Sequence, residues 1–479
     1  LETLIFPPSL YWLKVNRRTV LLFSLLLSVL YLVGLDWSGL VSVDEPRYAA
    51  IGREMARSGD WLTPVLWGEP WFEKPPLLYW LIAGATRLGL PGEWAARLPV
   101  AVLSLVFLGF YYDRLRRLFG AELAFRATVM LATMGGWFAY SQVAVTDIPL
   151  ATSFGAAMLL AAPWALGQGR GGLVGASLCL GMAILAKAAV PLVLALPLLY
   201  WAGRERWRHL VAPLLVAVGV AAPWYVWSYQ RHGWAFFDEL FLRHHLARFL
   251  TGETLHARPA WFYVPVLALG LFPWTALVGG LWRRAVWEDA RLRYFLLWFG
   301  WGFVFFSASS GKLPGYLLPL LPAVAVLLGA APGRGAVLAA PVMLAVAAPV
   351  AMAVLPVALD RGLSRATVSV PVYGALLAAG AGLVMWRWRS FTAAAALVVG
   401  LLLAAKYPLL KKLDAAASAR AEAAEIKRRQ YPALCRGVLR RTWEYQLNYY
   451  LGAPVPACAE DDTTTPRLES TPDGRLVLP

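Results

Sequence analysis

Apolar residues in this chain come in long blocks separated by short basic clusters, without the sustained two-residue or 3.6-residue alternation of a half-buried strand or helix. The first block covers residues 20–35, the last is centred near residue 399, and about thirteen approach the roughly 15–22 residues that cross a hydrocarbon layer. The pattern predicts an α-helical polytopic membrane protein with about thirteen transmembrane helices. Arg17/Arg18, Arg114/Arg116/Arg117, Arg204/Arg206/Arg208, Arg291/Arg293 and Arg387/Arg389 then all fall on one face. That face is the cytoplasmic one, with the N-terminus inside and the C-terminus outside. The first block lacks a small-residue cleavage site and runs into Asp36-Trp37, so it is expected to stay as a helix.

Two long connections, 36–97 and about 229–260, are left on the outer side. They divide the reading into a transmembrane catalytic part, residues 1–406, and a small extracytoplasmic C-terminal domain, residues 407–479. Within the first connection, 45–58 and 75–90 mix Trp, Tyr and charge in the manner of interfacial helices that do not span. The tail holds a helix-forming run at 415–430 and a loose Thr/Pro/Asp-rich end.

Composition narrows the classes. Hydrophobic residues make up 59% and charged residues 15%, with a mean hydropathy of +0.58, more apolar than a water-facing surface carries. The net charge of +16 sits mostly between the apolar blocks, where topology explains it, so no nucleic-acid partner is expected. Of three cysteines, Cys179 lies in an apolar block, whereas Cys435 and Cys458 both fall outside the cytoplasm, where a disulfide is permitted but not required by the sequence. Gly167, Gly169 and Gly172 match a dinucleotide fingerprint literally, but they join two apolar blocks and read as a loop.

The first connection is dense in acids, bases and aromatics: Asp44-Glu45-Pro46-Arg47-Tyr48, Ser58-Gly59-Asp60-Trp61, and Trp71-Phe72-Glu73-Lys74-Pro75-Pro76. A solvated loop touching lipid headgroups would also have this composition. At a membrane surface, however, a carboxylate beside a proline-fixed turn is placed to act as a general base, and Arg or Lys to hold a phosphate.

These strings, with Val145-Thr146-Asp147-Ile148-Pro149 and Lys312-Leu313-Pro314-Gly315-Tyr316, resemble the bacterial aminoarabinose transferases and their protein O-mannosyltransferase relatives, over about residues 40–320 and in order. The resemblance implies a GT-C fold and an inverting transfer of sugar from a polyprenyl-phosphate donor. It implies Asp44 as principal catalytic carboxylate and Asp147 as a second acid, with Arg47, Lys74, Lys187 and Tyr316 at the donor phosphate. The family usually carries glycine after the lysine that Lys187 matches; this chain has Ala188.

Four of the five histidines, His232, His244, His245 and His256, fall in the second connection. The resemblance places a divalent metal, expected to be zinc, between Glu73 and a histidine of this loop, His244 being preferred to His256. A carboxylate with an imidazole suits that ion. The expected location is the bacterial inner membrane, with the site on its outer face and the protein acting as a monomer. The acceptor is a lipid such as lipid A, a glycan or a protein, and the motifs do not choose among them. The rival from another class is a lipid or ion transporter, whose charges would line a path across the bilayer.

Overall fold

A computed structural model describes residues 15–240, 258–330, 334–361, 372–388, 390–431, 433–459, 465–471 and 476–477. The protein is an α-helical membrane bundle. Among the described residues five helices are long and apolar enough to cross a bilayer: Gly92–Phe119, Asp147–Ala165, Pro197–His232, Gly335–Val354 and Phe391–Ala417. A sixth span results if Ala260–Leu271 and Thr275–Trp282, bent by 114°, are taken together.

This corrects the expected thirteen. Apolar blocks are continuous in sequence, but the backbone breaks several of them into pieces shorter than a span. The block near residue 132 becomes Ala121–Thr133 and Gly135–Tyr140, separated at Met134, which is extended. There Gly135 N–H leaves the helical ladder and donates to Phe272 O at 2.7 Å. The block near 180 stops at Lys187, because Ala188 has φ 48° and ψ −129°. A short helix at Val190–Leu194 follows, with Pro191 in its first turn, and the next, Pro197–Arg206, opens on a proline. Arg17–Leu32 is 16 residues long, and Asn16 caps it by accepting from Thr19 N–H.

The helices have a basic end and an acidic end. Gly92–Phe119 has 28 residues, so it is about 42 Å long, enough to cross the roughly 30 Å hydrocarbon layer and emerge on both sides. Arg116 and Arg117 lie in its last turn, and Arg291 reaches across to Leu118 O at 3.0 Å. Arg206 likewise donates to Trp164 O at 3.1 Å, at the end of Asp147–Ala165. The basic clusters thus gather at one pole, as the charge pattern predicts.

At the opposite pole a buried ion pair joins four segments. Arg97 donates to Glu45 through Nε at 2.7 Å and Nη2 at 2.8 Å, both side chains being almost wholly buried. Its remaining donors meet the carbonyls of Leu35, Ser38 and Gly39, each at 2.7 Å. Glu45 in turn accepts from Val41 N–H at 2.8 Å and Ala144 N–H at 3.0 Å. Every hydrogen-bonding need of the pair is met, which is what makes charge tolerable there.

The first connection forms two helices, Asp44–Ser58 and Leu77–Arg87, packed on each other. Neither spans, as expected, but both are largely buried instead of resting on an interface. The last spanning helix runs through residue 406 to Ala417 and ends beside the first connection, where Asp414 accepts from Gly39 N–H at 2.7 Å. Beyond it, Arg420–Arg429 and Arg441–Leu451 pack around Trp443, Leu447 and Leu468. A small sheet pairs Cys435–Arg436 in parallel with Arg467–Ser470, and the latter antiparallel with Leu476–Val477. Cys435 and Cys458 form a disulfide.

Arg97→Met should destabilise the protein by about 3–5 kcal/mol, because it leaves the Glu45 carboxylate buried without a cation. Unfolding in mixed micelles measures it; a loss below about 1 kcal/mol is incompatible with a fully buried pair.

Candidate active site

The sequence-predicted residues collect into two groups at the acidic pole. In the first, Asp44 opens its helix and is 45% exposed, while Arg47, one turn on, is 5% exposed and pairs with it. Arg47 Nη1 also donates to Glu73 Oε2 at 2.9 Å, and Lys74 Nζ to Glu73 Oε1 at 3.0 Å. Arg47 therefore bridges two carboxylates, leaving Asp44 with the accessible face. Burial disfavours the Arg47 cation, but the electrostatic pull of Tyr48, Glu73 and Asp44 outweighs it and holds the group above its ordinary value.

In the second group Asp147, at the start of Asp147–Ala165, accepts from Lys187 Nζ at 2.7 Å. Lys187 lies 4.4 Å from the centre of the Tyr316 ring. The glycine of the Lys312–Tyr316 motif has a steric reason: a Cβ on Gly315 would come within 2.7 Å of the Tyr140 ring and 3.0 Å of the Asp147 carboxylate. The two groups are within electrostatic reach of each other, Asp44 being close enough to act on both Tyr140 and Lys187.

An apolar cavity of about 700 Å³ lies between the helices that end at Lys187 and His232. Ile184, Ala188, Leu192, Ala221, Tyr225 and Phe236 are among its walls. One wall residue, Ala188, follows Lys187 directly. Another, Phe236, packs edge-on against Phe72 at 5.0 Å, next to Glu73.

The two external connections are tied together here. Arg231 pairs with Asp60 at 2.9 Å, His232 shares a hydrogen bond with Thr63 at 2.9 Å, and Glu239 accepts from Phe72 N–H at 3.1 Å. Hydrogen bonds from Leu62 and Thr63 N–H, with Arg231, offset the burial of Asp60 and hold its carboxyl below its ordinary range.

His244, with His245 and His256, lies outside the described residues. Among the described residues no group of three metal-ligating side chains occurs. Glu73 has Lys74 on one oxygen and Arg47 on the other, and the histidine expected to share an ion with it is not among the described residues.

The arrangement has counterparts in known proteins. The family model for dolichyl-phosphate-mannose-protein mannosyltransferases matches residues 73–227. The undecaprenyl phosphate-α-4-amino-4-deoxy-L-arabinose arabinosyl transferase 2 of Pseudomonas fluorescens is 32% identical over 346 residues, covering 68% of this chain and 59% of that protein. The corresponding transferase of Pseudomonas aeruginosa is 33% identical, covering 66% and 59%. The crystal structure of ArnT from Cupriavidus metallidurans bound to undecaprenyl phosphate superposes with a TM-score of 0.77 at 27% identity, over 94% of this chain and 87% of that one. The chain resembles the ArnT and protein mannosyltransferase-like GT-C glycosyltransferases. Its apo relative from the same organism gives 0.73 at 25% identity. The chain spans 59% of the length of the curated relatives it matches.

Sequence reasoning passed over Glu45, Arg97 and Tyr140. Arg97 carried a signal, an arginine at the edge of an apolar block, which in a membrane protein asks for a partner. Tyr140 carried none.

Ala188 holds a backbone conformation that glycine adopts without strain and that costs an L side chain about 1–3 kcal/mol. Ala188→Gly is expected to raise stability by about 1 kcal/mol, read as a higher melting temperature in detergent; an unchanged or lower value counts against strain at this position.

Proposed function

We propose that the protein transfers a sugar from a polyprenyl-phosphate donor to an acceptor at the outer face of the cytoplasmic membrane. One observation carries this reading: Arg47 and Lys74 on Glu73 and Lys187 on Asp147 gather cations at one pole, and Ala188, the residue after Lys187, lines an apolar cavity of about 700 Å³. Grease leading to cations is the chemistry a lipid phosphate needs.

Asp44 is the proposed base. It takes the proton of an acceptor hydroxyl as that oxygen bonds to the anomeric carbon, and the anomeric carbon–phosphate oxygen bond breaks from the opposite side. The electron pair leaves on the polyprenyl phosphate, whose charge Lys74, Arg47 and Lys187 meet, with Tyr316 orienting Lys187. Asp147 holds Lys187 in place as the second carboxylate of the site. A lipid, a glycan or a protein is the acceptor class. The transporter reading accounts poorly for titratable groups gathered at one pole.

Two features support the outer face as the working side. The basic clusters lie at the opposite pole. The tail beside the site carries the Cys435–Cys458 disulfide, which belongs to an oxidising compartment. On this reading residues 1–406 are the membrane transferase part and 407–479 an extracytoplasmic unit docked on it.

Zinc between Glu73 and His244 is a separate proposal. The ion would have to replace Lys74 at Glu73, and no step above runs through it. Elemental analysis tests it: stoichiometric zinc in the purified protein, lost in Glu73→Gln and His244→Ala, establishes the site, and a zinc-free parent leaves Glu73 as a counter-ion for Arg47 and Lys74.

Asp44→Asn should lower kcat by at least about a hundredfold while undecaprenyl phosphate binding stays near the parent's, because the amide keeps the shape and loses the base. Lys74→Ala should instead weaken that binding. Parent-like turnover by Asp44→Asn removes Asp44 from the mechanism.

A further inference from the structure

Arg47 is fixed by rings as well as by acids. Its guanidinium carbon lies 5.2 Å from the ring centre of Tyr48, 5.2 Å from that of Trp71 and 5.9 Å from that of Tyr445. The first two rings come from the connection that carries Asp44 and Glu73. Tyr445 comes from Arg441–Leu451, near the other end of the chain and outside residues 73–227.

Tyr445 is itself braced. Trp67 packs on it with ring centres 4.9 Å apart, and Arg441 donates to its hydroxyl at 3.1 Å. Trp67 reaches that position through a tight turn, Trp67 and Gly68 both having positive φ, which folds Glu69–Pro70 back on Val65–Leu66. The helix behind Tyr445 is docked independently: Arg53 donates to Tyr449 O at 3.0 Å, and Tyr450 donates to Glu93 at 2.9 Å while accepting from Leu40 N–H at 2.7 Å. The N–H groups of Arg47 Nε, Trp67 and Trp71 are buried with no acceptor among the described residues. Buried donors around a cation invite an oxygen-rich ligand.

We propose that Tyr445 is a positioning residue of the donor site: its ring, carried by the tail helix, holds the Arg47 guanidinium in the orientation that bridges Asp44 and Glu73. This rests on the reading of Arg47 as part of a polyprenyl-phosphate site. The tail is then a wall of that site and not an appendage. With the ring gone, Arg47 keeps its charge but loses one of the three faces that define its angle. Donor binding weakens more than the chemical step does.

The test uses the whole chain, undecaprenyl phosphate as binding probe, and transfer kinetics with undecaprenyl phosphate-α-4-amino-4-deoxy-L-arabinose as donor. Tyr445→Leu retains volume without a π face, and should raise both the Kd for undecaprenyl phosphate and the donor KM about tenfold with kcat within about threefold. Tyr445→Phe, which keeps the face and loses only the hydroxyl bond to Arg441, should stay within about twofold of the parent. Parent-like binding by a folded Tyr445→Leu overturns the proposal, as does equal impairment of the Phe variant. If the Leu variant does not fold, Tyr445→Trp replaces it: binding at least as tight as the parent's supports the role, and a tenfold loss overturns it. A parent that fails to bind undecaprenyl phosphate at all instead removes the site reading on which the proposal depends.

Discussion

The Glu45–Arg97 pair is the constraint from which the rest of the outer pole is hung. Asp44 directly precedes Glu45, and Asp147 follows Ala144, whose N–H the same carboxylate accepts. Both candidate catalytic acids therefore sit within a few residues of one fixed point, although they lie a hundred residues apart in sequence. Burying two charges is expensive, and an apolar pair of similar volume would often cost less. What the ion pair adds is direction. Its bidentate geometry and five further hydrogen bonds to backbone groups leave the converging segments little freedom to slide.

From that point the site is assembled by short ties between distant segments. Arg47 binds the start of the Asp44 helix to Glu73, Phe72 and Thr63 bind the first connection to the second, and Asp414, Glu93 and Tyr450 bind the tail to the segment around Gly39. Each tie is a polar contact at the membrane surface, where water no longer competes fully and a hydrogen bond counts for more than in bulk solvent. The apolar cavity, by contrast, is defined by packing between helices, and its lining needs no directional contacts.

The membrane class, the basic pole and the membership of Asp44, Arg47, Glu73 and Lys74 in one cluster were legible in the sequence, because apolar blocks, loop charges and adjacent motif residues are local signals. The pairing of Asp147 with Lys187 was not legible: the family resemblance gave Asp147 as a second acid and Lys187 at the donor phosphate, and nothing local brings the two together. The number of spanning helices was not. A hydropathy block does not reveal that Met134 is extended, that Ala188 has a positive φ, or that the chain turns by 114° between Leu271 and Thr275. Arg97 and Tyr445 escaped for a different reason: each acts through a partner far along the chain, and a single sequence holds no record of such pairing. The sequence left the disulfide open; in the fold Cys458 follows an isolated bridge between Ala457 and Arg436, which brings its Cα within 4.8 Å of that of Cys435.

Asp44, Glu73 and Asp147 match Arg47, Lys74 and Lys187 one for one, so these six side chains sum to zero formal charge. Among these described side chains an incoming phosphate finds each cation already facing a carboxylate. Where it takes that carboxylate's place, the Coulomb energy it gains is the difference between two pairings. On the proposed reading this difference holds down the affinity for the spent carrier, because the resting ion pairs re-form as it departs. A site of bare cations would grip the leaving lipid phosphate and slow its exchange for a loaded one. Internal pairing thus suits a catalyst whose product is a carrier to be returned to the membrane pool.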